Sequence, residues 1–284
     1  MFVTLIRRVV PRPVRNALRR PTTSLRRLKA KARYMFGICD VAAPRPGWVI
    51  RCHPLCPEQF SVFCKDPEQA VELEDFISFC TAGMKFLDVG AHWGFFSLAA
   101  ARFGGSEVRG LAIEASPAAA GVCRRNLALN GLGKVVTVIT AAAGAQAGEL
   151  EMLTTGAGGA DYFVVPDESR PDTIRVPQIT MDATCRQYAF EPTHIKIDVE
   201  GWEGEVLDGA EELIRKCKPT IFLELHGSIL EKRGQDPRAV LAKLKRLGYG
   251  EFVQMGKPLK TSELEERHFN ARFVCLPDKV LPAS

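Results

Sequence analysis

From residue 84 onward the chain alternates short apolar runs with amphipathic stretches, and that rhythm leaves few folds open. Residues 84–89, 107–113, 134–140, 193–197 and 220–225 read as buried strands. Between them lie helical patterns: one with Phe96, Ala99, Ala100 and Phe103 on a face, one over 117–129, and one over 203–217 that turns Val206, Ala210, Leu213 and Cys217 inward. Asp236-Pro237 opens a further helix that Gly248 stops, and 251–255 and 271–276 close the series as strands. Repeated strand–helix units need crossover connections, so they imply a mostly parallel sheet with helices on both faces.

Two segments depart from the rhythm. Residues 148–154 and 173–180 look like strands of an inserted hairpin around a Gly- and Pro-rich loop. A loop of that length is more often functional than idle, and 155–172, with Asp161 and Tyr162, reads as a lid over an acceptor. Ahead of the strand–helix series, 48–50 and 60–63 look like a small hairpin. Asp66-Pro67 then starts a helix whose apolar face is Leu73, Phe76, Ile77 and Cys80. The resulting division is a basic arm over 1–36, a hairpin and helix over 37–83 that cap the site, and a catalytic domain over 84–284.

Charge separates the arm from the body. The net charge is +5, yet residues 1–39 hold eleven Lys or Arg and no acid, which leaves 27 bases against 33 acids in the remainder. Such an arm is an expected tether to an anionic surface: lipid head groups, which would dock it at a membrane face, nucleic acid or an acidic partner. Nine scattered cysteines and an apolar start too short for a secretory signal point to reduced thiols in the cytoplasm, at the membrane surface where the arm docks. An Arg-rich, acid-free start also fits a mitochondrial transit peptide.

In open α/β sheets ligands bind beyond the carboxyl ends of the strands. Strand by strand, those ends carry Asp88-Val89-Gly90-Ala91-His92-Trp93-Gly94-Phe95, then Glu114-Ala115, then Ala142 after the third strand, then Asp198-Val199-Glu200-Gly201-Trp202-Glu203, then Glu224-Leu225-His226. The first turn lacks the G-x-G-x-x-G spacing that brings backbone amides to a pyrophosphate, because Gly90 and Gly94 stand three residues apart. Asp88 before it is a poor neighbour for phosphate and suits a cationic ligand with an amino group. Glu114, at the end of the second strand, can accept both hydrogen bonds of a ribose diol. Together these features favour S-adenosylmethionine over a nicotinamide dinucleotide.

Residues 86–98, F-L-D-V-G-A-H-W-G-F-F-S-L, resemble the glycine-rich motif of class I methyltransferases. With H-I-K-I-D-V-E-G-W-E-G-E-V-L-D-G-A at 194–210, I-E-A-S-P at 113–117, N-L-A-L-N at 126–130 and I-T-M-D at 179–182, the chain resembles the FkbM-type methyltransferase family over roughly 60–276. The resemblance implies a Rossmann-like fold with a seven-stranded, mostly parallel sheet and an antiparallel last strand. It also implies methyl transfer to a hydroxyl of a glycan, a glycolipid or a secondary metabolite. The expected cofactor contacts are Asp88, Gly90, Ala91, His92, Gly94, Phe95, Glu114, Ala115, Ala142 and Asp198.

A sugar hydroxyl is a weak nucleophile at neutral pH, so a positioned base is expected. Asp198 is the first candidate, with Glu200 and His226 beside it and Glu203 and Glu224 as further acids. No metal is assigned. Cys52, His53, Cys56 and Cys64 match no zinc spacing, and the acids Asp198, Glu200 and Glu203 are accounted for without Mg²⁺. Two other readings are weighed. A nucleic-acid methyltransferase would grip phosphates with the arm, but the acids after the fourth strand disfavour it. A non-catalytic scaffold would keep the fold without the turnover.

Overall fold

The computed structural model describes residues 32–33, 35–36, 38–153, 173–254, 256–259 and 271–278. The basic arm up to residue 31 and the loop 155–172, with Asp161 and Tyr162, lie outside the described residues.

The chain enters through an antiparallel hairpin, β1 (Asp40–Arg45) and β2 (Trp48–Cys52). Two one-turn helices follow, α1 (Pro57–Phe60) and α2 (Val62–Lys65), and then α3 (Pro67–Ser78). Residues 60–63 are therefore helical rather than the expected second strand of a hairpin. Pro57 sets the first turn, and Phe60 and Phe63, three residues apart, both turn onto Phe95, at ring distances of 5.2 and 3.8 Å. The expected cap of α3 is present: the Asp66 carboxylate accepts from the amides of Glu68 and Gln69.

The main sheet is built from β3 (Lys85–Val89), β4 (Arg109–Glu114), β5 (Val136–Thr140), β9 (His194–Ile197), β10 (Thr220–Leu225), β11 (Glu251–Gln254), β12 (Lys257–Leu259) and β13 (Ala271–Leu276). Its order is β12-β11-β13-β10-β9-β3-β4-β5. Strands β5, β4, β3, β9 and β10 are parallel, and β13, last in sequence, runs antiparallel between β10 and β11. The expected seven strands with a reversed last strand are thus joined by an eighth, the short β12, which a turn at Gly256 folds back onto β11. The inserted hairpin is β7 (Gly148–Leu153) with β8 (Thr173–Ile179), and the two-residue β6 (Ala142–Ala143) pairs with β8.

Side-chain alternation along the strands supplies both faces. On one face Phe86 and Phe222 pack under α3, α4 (Phe95–Phe103) and α5 (Pro117–Leu129), in a core that also takes in Trp48, Phe60 and Phe76. On the other, Leu87, Ile195 and Leu223 pack against α6 (Met181–Gln187), α7 (Glu203–Asp208), α8 (Glu211–Cys217), α9 (Gly227–Lys232) and α10 (Pro237–Arg246). Full burial of each such side chain contributes ~1.5–3 kcal/mol. The expected single helix over 203–217 is two helices. Gly209 breaks it: a Cβ there would sit 2.0 Å from the Gly144 carbonyl oxygen, so another stretch of backbone occupies the helix surface. No helix among the described residues is long and apolar enough to cross a membrane.

Candidate active site

The turn after β3 is shaped by what crosses it. Gly90 has φ +83°, and a Cβ there would lie 1.8 Å from the carbonyl oxygen of Asp198, so only glycine lets the ends of β3 and β9 meet. The amides of Gly90 and Ala91 both donate to the Ile113 carbonyl, at 2.9 and 3.0 Å. His92 takes a left-handed φ of +48° without being glycine, which turns its amide onto Glu114 Oε2 at 2.7 Å. Ser116 N donates to the other oxygen at 2.7 Å. Each Glu114 oxygen thus holds one backbone N–H and keeps a further lone pair. Burial pushes the Glu114 carboxyl up to about 7 against the pull of those two amides, and lowers the His92 imidazole to about 4.

A cavity of about 390 Å³ opens beyond the strand ends. Of the expected site residues, Gly90, His92, Glu114, Ala115, Ala142, Asp198 and Glu200 line it. Asp88, Ala91, Gly94, Phe95 and His226 are not on its wall. Asp88 is buried beneath the turn, accepting from the Ser97 hydroxyl at 2.6 Å, and burial raises its carboxyl to about 6. Gly94, φ +82°, lies against Cys123 Sγ, and Phe95 stacks on Phe63.

At the other end of the cavity the sheet carries a buried layer of charge. Lys196, 3% exposed, donates to Asp198 Oδ2 at 2.9 Å, lies 3.5 Å from Glu72 Oε1, and sits under the Phe96 ring. Arg272, the cross-strand partner of Glu224, reaches Glu224 Oε1 at 2.6 Å and Glu72 Oε2 at 3.1 Å. Burial opposes ionisation of Asp198, but Lys196 outweighs it and holds the carboxyl below its ordinary value. Burial raises Glu72, to about 7, and Glu224. Buried ion pairs cost desolvation and are weak evidence for stability, so their placement on a cavity wall points to use.

His226 follows β10 and lies behind this layer, 4% exposed. Its Nδ1 is 2.8 Å from Glu203 Oε1, which also accepts from the Gly201 amide. Burial opposes the charged imidazole, yet the bond to Glu203 and the surrounding carboxylates raise it to about 9. Glu200, with φ +52°, faces His226 Nε2 at 3.4 Å from the cavity side.

Sequence reasoning missed Glu72 and Arg272 because they lie outside the strand ends. The available signals were an acid beside Leu73 on the apolar side of α3 and a lone arginine in a closing strand. Lys196 lies on the opposite face of β9 from Ile195 and Ile197 and supports the site from below. Cys52 and Cys56 are buried in the core, where the Asn126 amide donates to Cys56 Sγ and its oxygen accepts from His53 N.

A mostly parallel sheet with a reversed final strand, a glycine turn and an acid at the end of the neighbouring strand make the Rossmann-like arrangement of the class I methyltransferase fold. The sequence model of the FkbM methyltransferase domain matches residues 88–250, more than half of the chain, and the chain belongs to that family. S-adenosylmethionine is the family's methyl donor. Similar solved structures include a methyltransferase FkbM from Methylobacillus flagellatus KT, 19% identical, covering 68% of this chain with a TM-score of 0.45. This chain spans 43% of that protein's length. An O-methyltransferase from Bacillus cereus in complex with SAH is 18% identical, covering 75% of this chain and 82% of its own, with a TM-score of 0.40. A SAM-dependent O-methyltransferase from Thermotoga maritima is 12% identical, covering 76% and 67%, with a TM-score of 0.40. No curated protein matches the chain.

The cavity wall fits the donor. Ala115, Ala141, Ala142 and Ala143 carry no side chain beyond Cβ, a cradle that larger residues would fill. The free lone pairs of Glu114 suit a diol, and the cavity's acids suit a cation.

Proposed function

We propose that the protein is an O-methyltransferase acting on a hydroxyl of a polyhydroxylated acceptor, a glycan or glycolipid sugar or a sugar-like secondary metabolite. The observation that carries this reading is the two-ended cavity. One end is built of Gly90, Glu114 and small alanines, with Gln59 beside His92; the other presents Gln69, Glu72, Glu200, Glu224 and Arg272. Amides and charged groups in that density suit an acceptor with several hydroxyls.

In this reading Glu114 holds the ribose of S-adenosylmethionine, and Gly90, His92, Ala115 and Ala142 close on it. Asp88 acts from below, fixing the turn through Ser97. Gly94, Ala91 and Phe95 shape the backbone that presents those contacts. The donor supplies an electrophilic methyl on a sulfonium; the chain supplies alignment and a proton acceptor.

Among the expected bases, geometry favours Glu200. Asp198 is tied to Lys196, and His226 stands behind the wall, whereas Glu200 lines the cavity, where burial raises its carboxyl above the ordinary value. Glu200 takes the acceptor proton. Methyl transfer from S-adenosylmethionine to hydroxylated glycans tests the reading. Glu200→Gln is expected to lower kcat ~10²–10⁴-fold, with donor affinity by calorimetry changed less than about threefold. No transfer to any polyhydroxylated acceptor by a protein that binds the donor would favour the scaffold reading.

A further inference from the structure

The charged layer contains an arrangement that proton transfer alone does not explain. One ligand atom each from Asp198, Glu224 and His226 lies within 4.8 Å of the others. His226 Nε2 stands 3.4 Å from Glu200 Oε2, 3.8 Å from Glu224 Oε1 and 3.9 Å from Asp198 Oδ1. These separations exceed the usual N–H···O range. For Glu224 and Asp198, at 3.8 and 3.9 Å, they lie a few tenths of an ångström outside the ~3–3.5 Å between neighbouring ligands that share an ion at about 2.1 Å.

Three further features single the place out. The Nδ1 of His226 is fixed by Glu203, the outer-sphere carboxylate–imidazole pairing that orients a metal-binding histidine and aims its Nε2. Glu203 is fully buried, and its second oxygen, Oε2, has no hydrogen-bond partner, so the pairing was assembled at the cost of an orphaned buried atom. Lys196 occupies Oδ2 of Asp198 and Oδ1 faces His226, while the Asp198 carboxyl lies within hydrogen-bond reach of Glu224, whose Oε1 Arg272 also holds.

We propose that Asp198, Glu224 and His226 bind one divalent cation of the Mn²⁺ class. Two carboxylates and an imidazole form a mixed oxygen–nitrogen set, which suits a first-row ion better than the all-oxygen shell preferred by Mg²⁺. Asp198 and Glu224 also line the cavity, so the cation would meet an acceptor hydroxyl there and fix its oxygen. This use rests on the acceptor reading above; the binding itself does not.

The test is titration of the full chain with Mn²⁺, followed by the electron paramagnetic resonance of the free ion. One ion per chain is expected. Affinity should fall tenfold or more in Asp198→Asn and His226→Gln, and ~10–100-fold in Glu203→Gln, which touches no ion. Circular dichroism checks each variant's fold. Should a variant not fold, the wild type carries the test: pulsed resonance of its bound Mn²⁺ must show coupling to a histidine nitrogen. No binding at millimolar Mn²⁺, binding unchanged in the folded variants, or bound Mn²⁺ without nitrogen coupling overturns the site. Donor binding is measured on the same samples in EDTA. Its loss in the wild type counts against the methyltransferase reading alone, and intact donor binding without a Mn²⁺ site counts against the metal alone.

Discussion

Glu114 condenses the logic of the glycine-turn end of the cavity into one side chain. Its two backbone partners favour the carboxylate, and burial disfavours it more, so its folded value rises from 4.5 to about 7. A carboxyl raised on folding contributes stability that is full below about 4.5 and lost as pH climbs through about 7. In the ligand-free protein, therefore, the melting temperature of wild type relative to Glu114→Gln should decline between pH 5 and 8. Donor binding has the opposite sign, because diol hydroxyls donate to the ionised form. Affinity for S-adenosylmethionine should rise over pH 6–8 in the wild type and be flat in Glu114→Gln. That variant should also bind ~10–100-fold more weakly at pH 8, the effect of losing a charge-assisted contact. Calorimetry at three pH values decides; a wild-type affinity independent of pH would remove Glu114 from the binding step. Position along the strand made this residue legible in the sequence. Side-chain direction did not follow: Asp88 was expected against the donor, yet it shares the buried face of Phe86 and Lys196 and bonds Ser97.

At the scale of elements, periodicity reports which way residues face and not whether the backbone is continuous. Val206, Ala210 and Leu213 are all buried, as the spacing over 203–217 implies, although α7 and α8 are separate helices. The break is set from far away. Asp182 N donates to the Gly209 carbonyl at 2.9 Å, and the Asp182 carboxylate accepts from Glu212 N and Leu213 N at 3.2 and 2.8 Å. A cap supplied from thirty residues upstream leaves no mark at the helix start, where no local side chain caps α8. Asp182→Ala should lower unfolding free energy by ~1–2 kcal/mol, the usual effect of losing an N-terminal cap. Asp182→Asn should retain part of it. Urea unfolding measures both; equal stability of Asp182→Ala and wild type would mean that water replaces the cap. The same limit explains residues 60–63. Alternating bulk looked like a strand, but both phenylalanines were needed on one side, against Phe95, and one helical turn achieves that.

Over the whole molecule, the strand–helix order was legible because the central strands β3, β4, β9 and β10 are buried on both faces, which leaves compact apolar runs in the sequence. The charged layer was only half legible. Its acids sit at strand ends, where topology concentrates ligands, but Glu72 and Arg272 join it from α3 and β13, where single residues stand inside apolar patterns. Charge is also divided at this scale: ten of the eleven arm cations lie in residues 1–31, ahead of a body with an excess of acids. We propose that the arm brings the protein to an anionic membrane face, where a lipid-linked sugar would present its hydroxyls. Each Lys or Arg close to such a surface contributes ~1 kcal/mol, and the attraction falls off within a Debye length, ~10 Å at 0.1 M salt. The full chain should co-sediment with vesicles containing anionic lipid at 0.1 M salt, release at 0.5 M, and ignore neutral vesicles. Removing the arm, residues 1–36, should abolish the binding while leaving affinity for S-adenosylmethionine within about twofold. Vesicle binding that survives the deletion would move the docking surface onto the acidic body, where electrostatic attraction has the wrong sign, and would end the proposal.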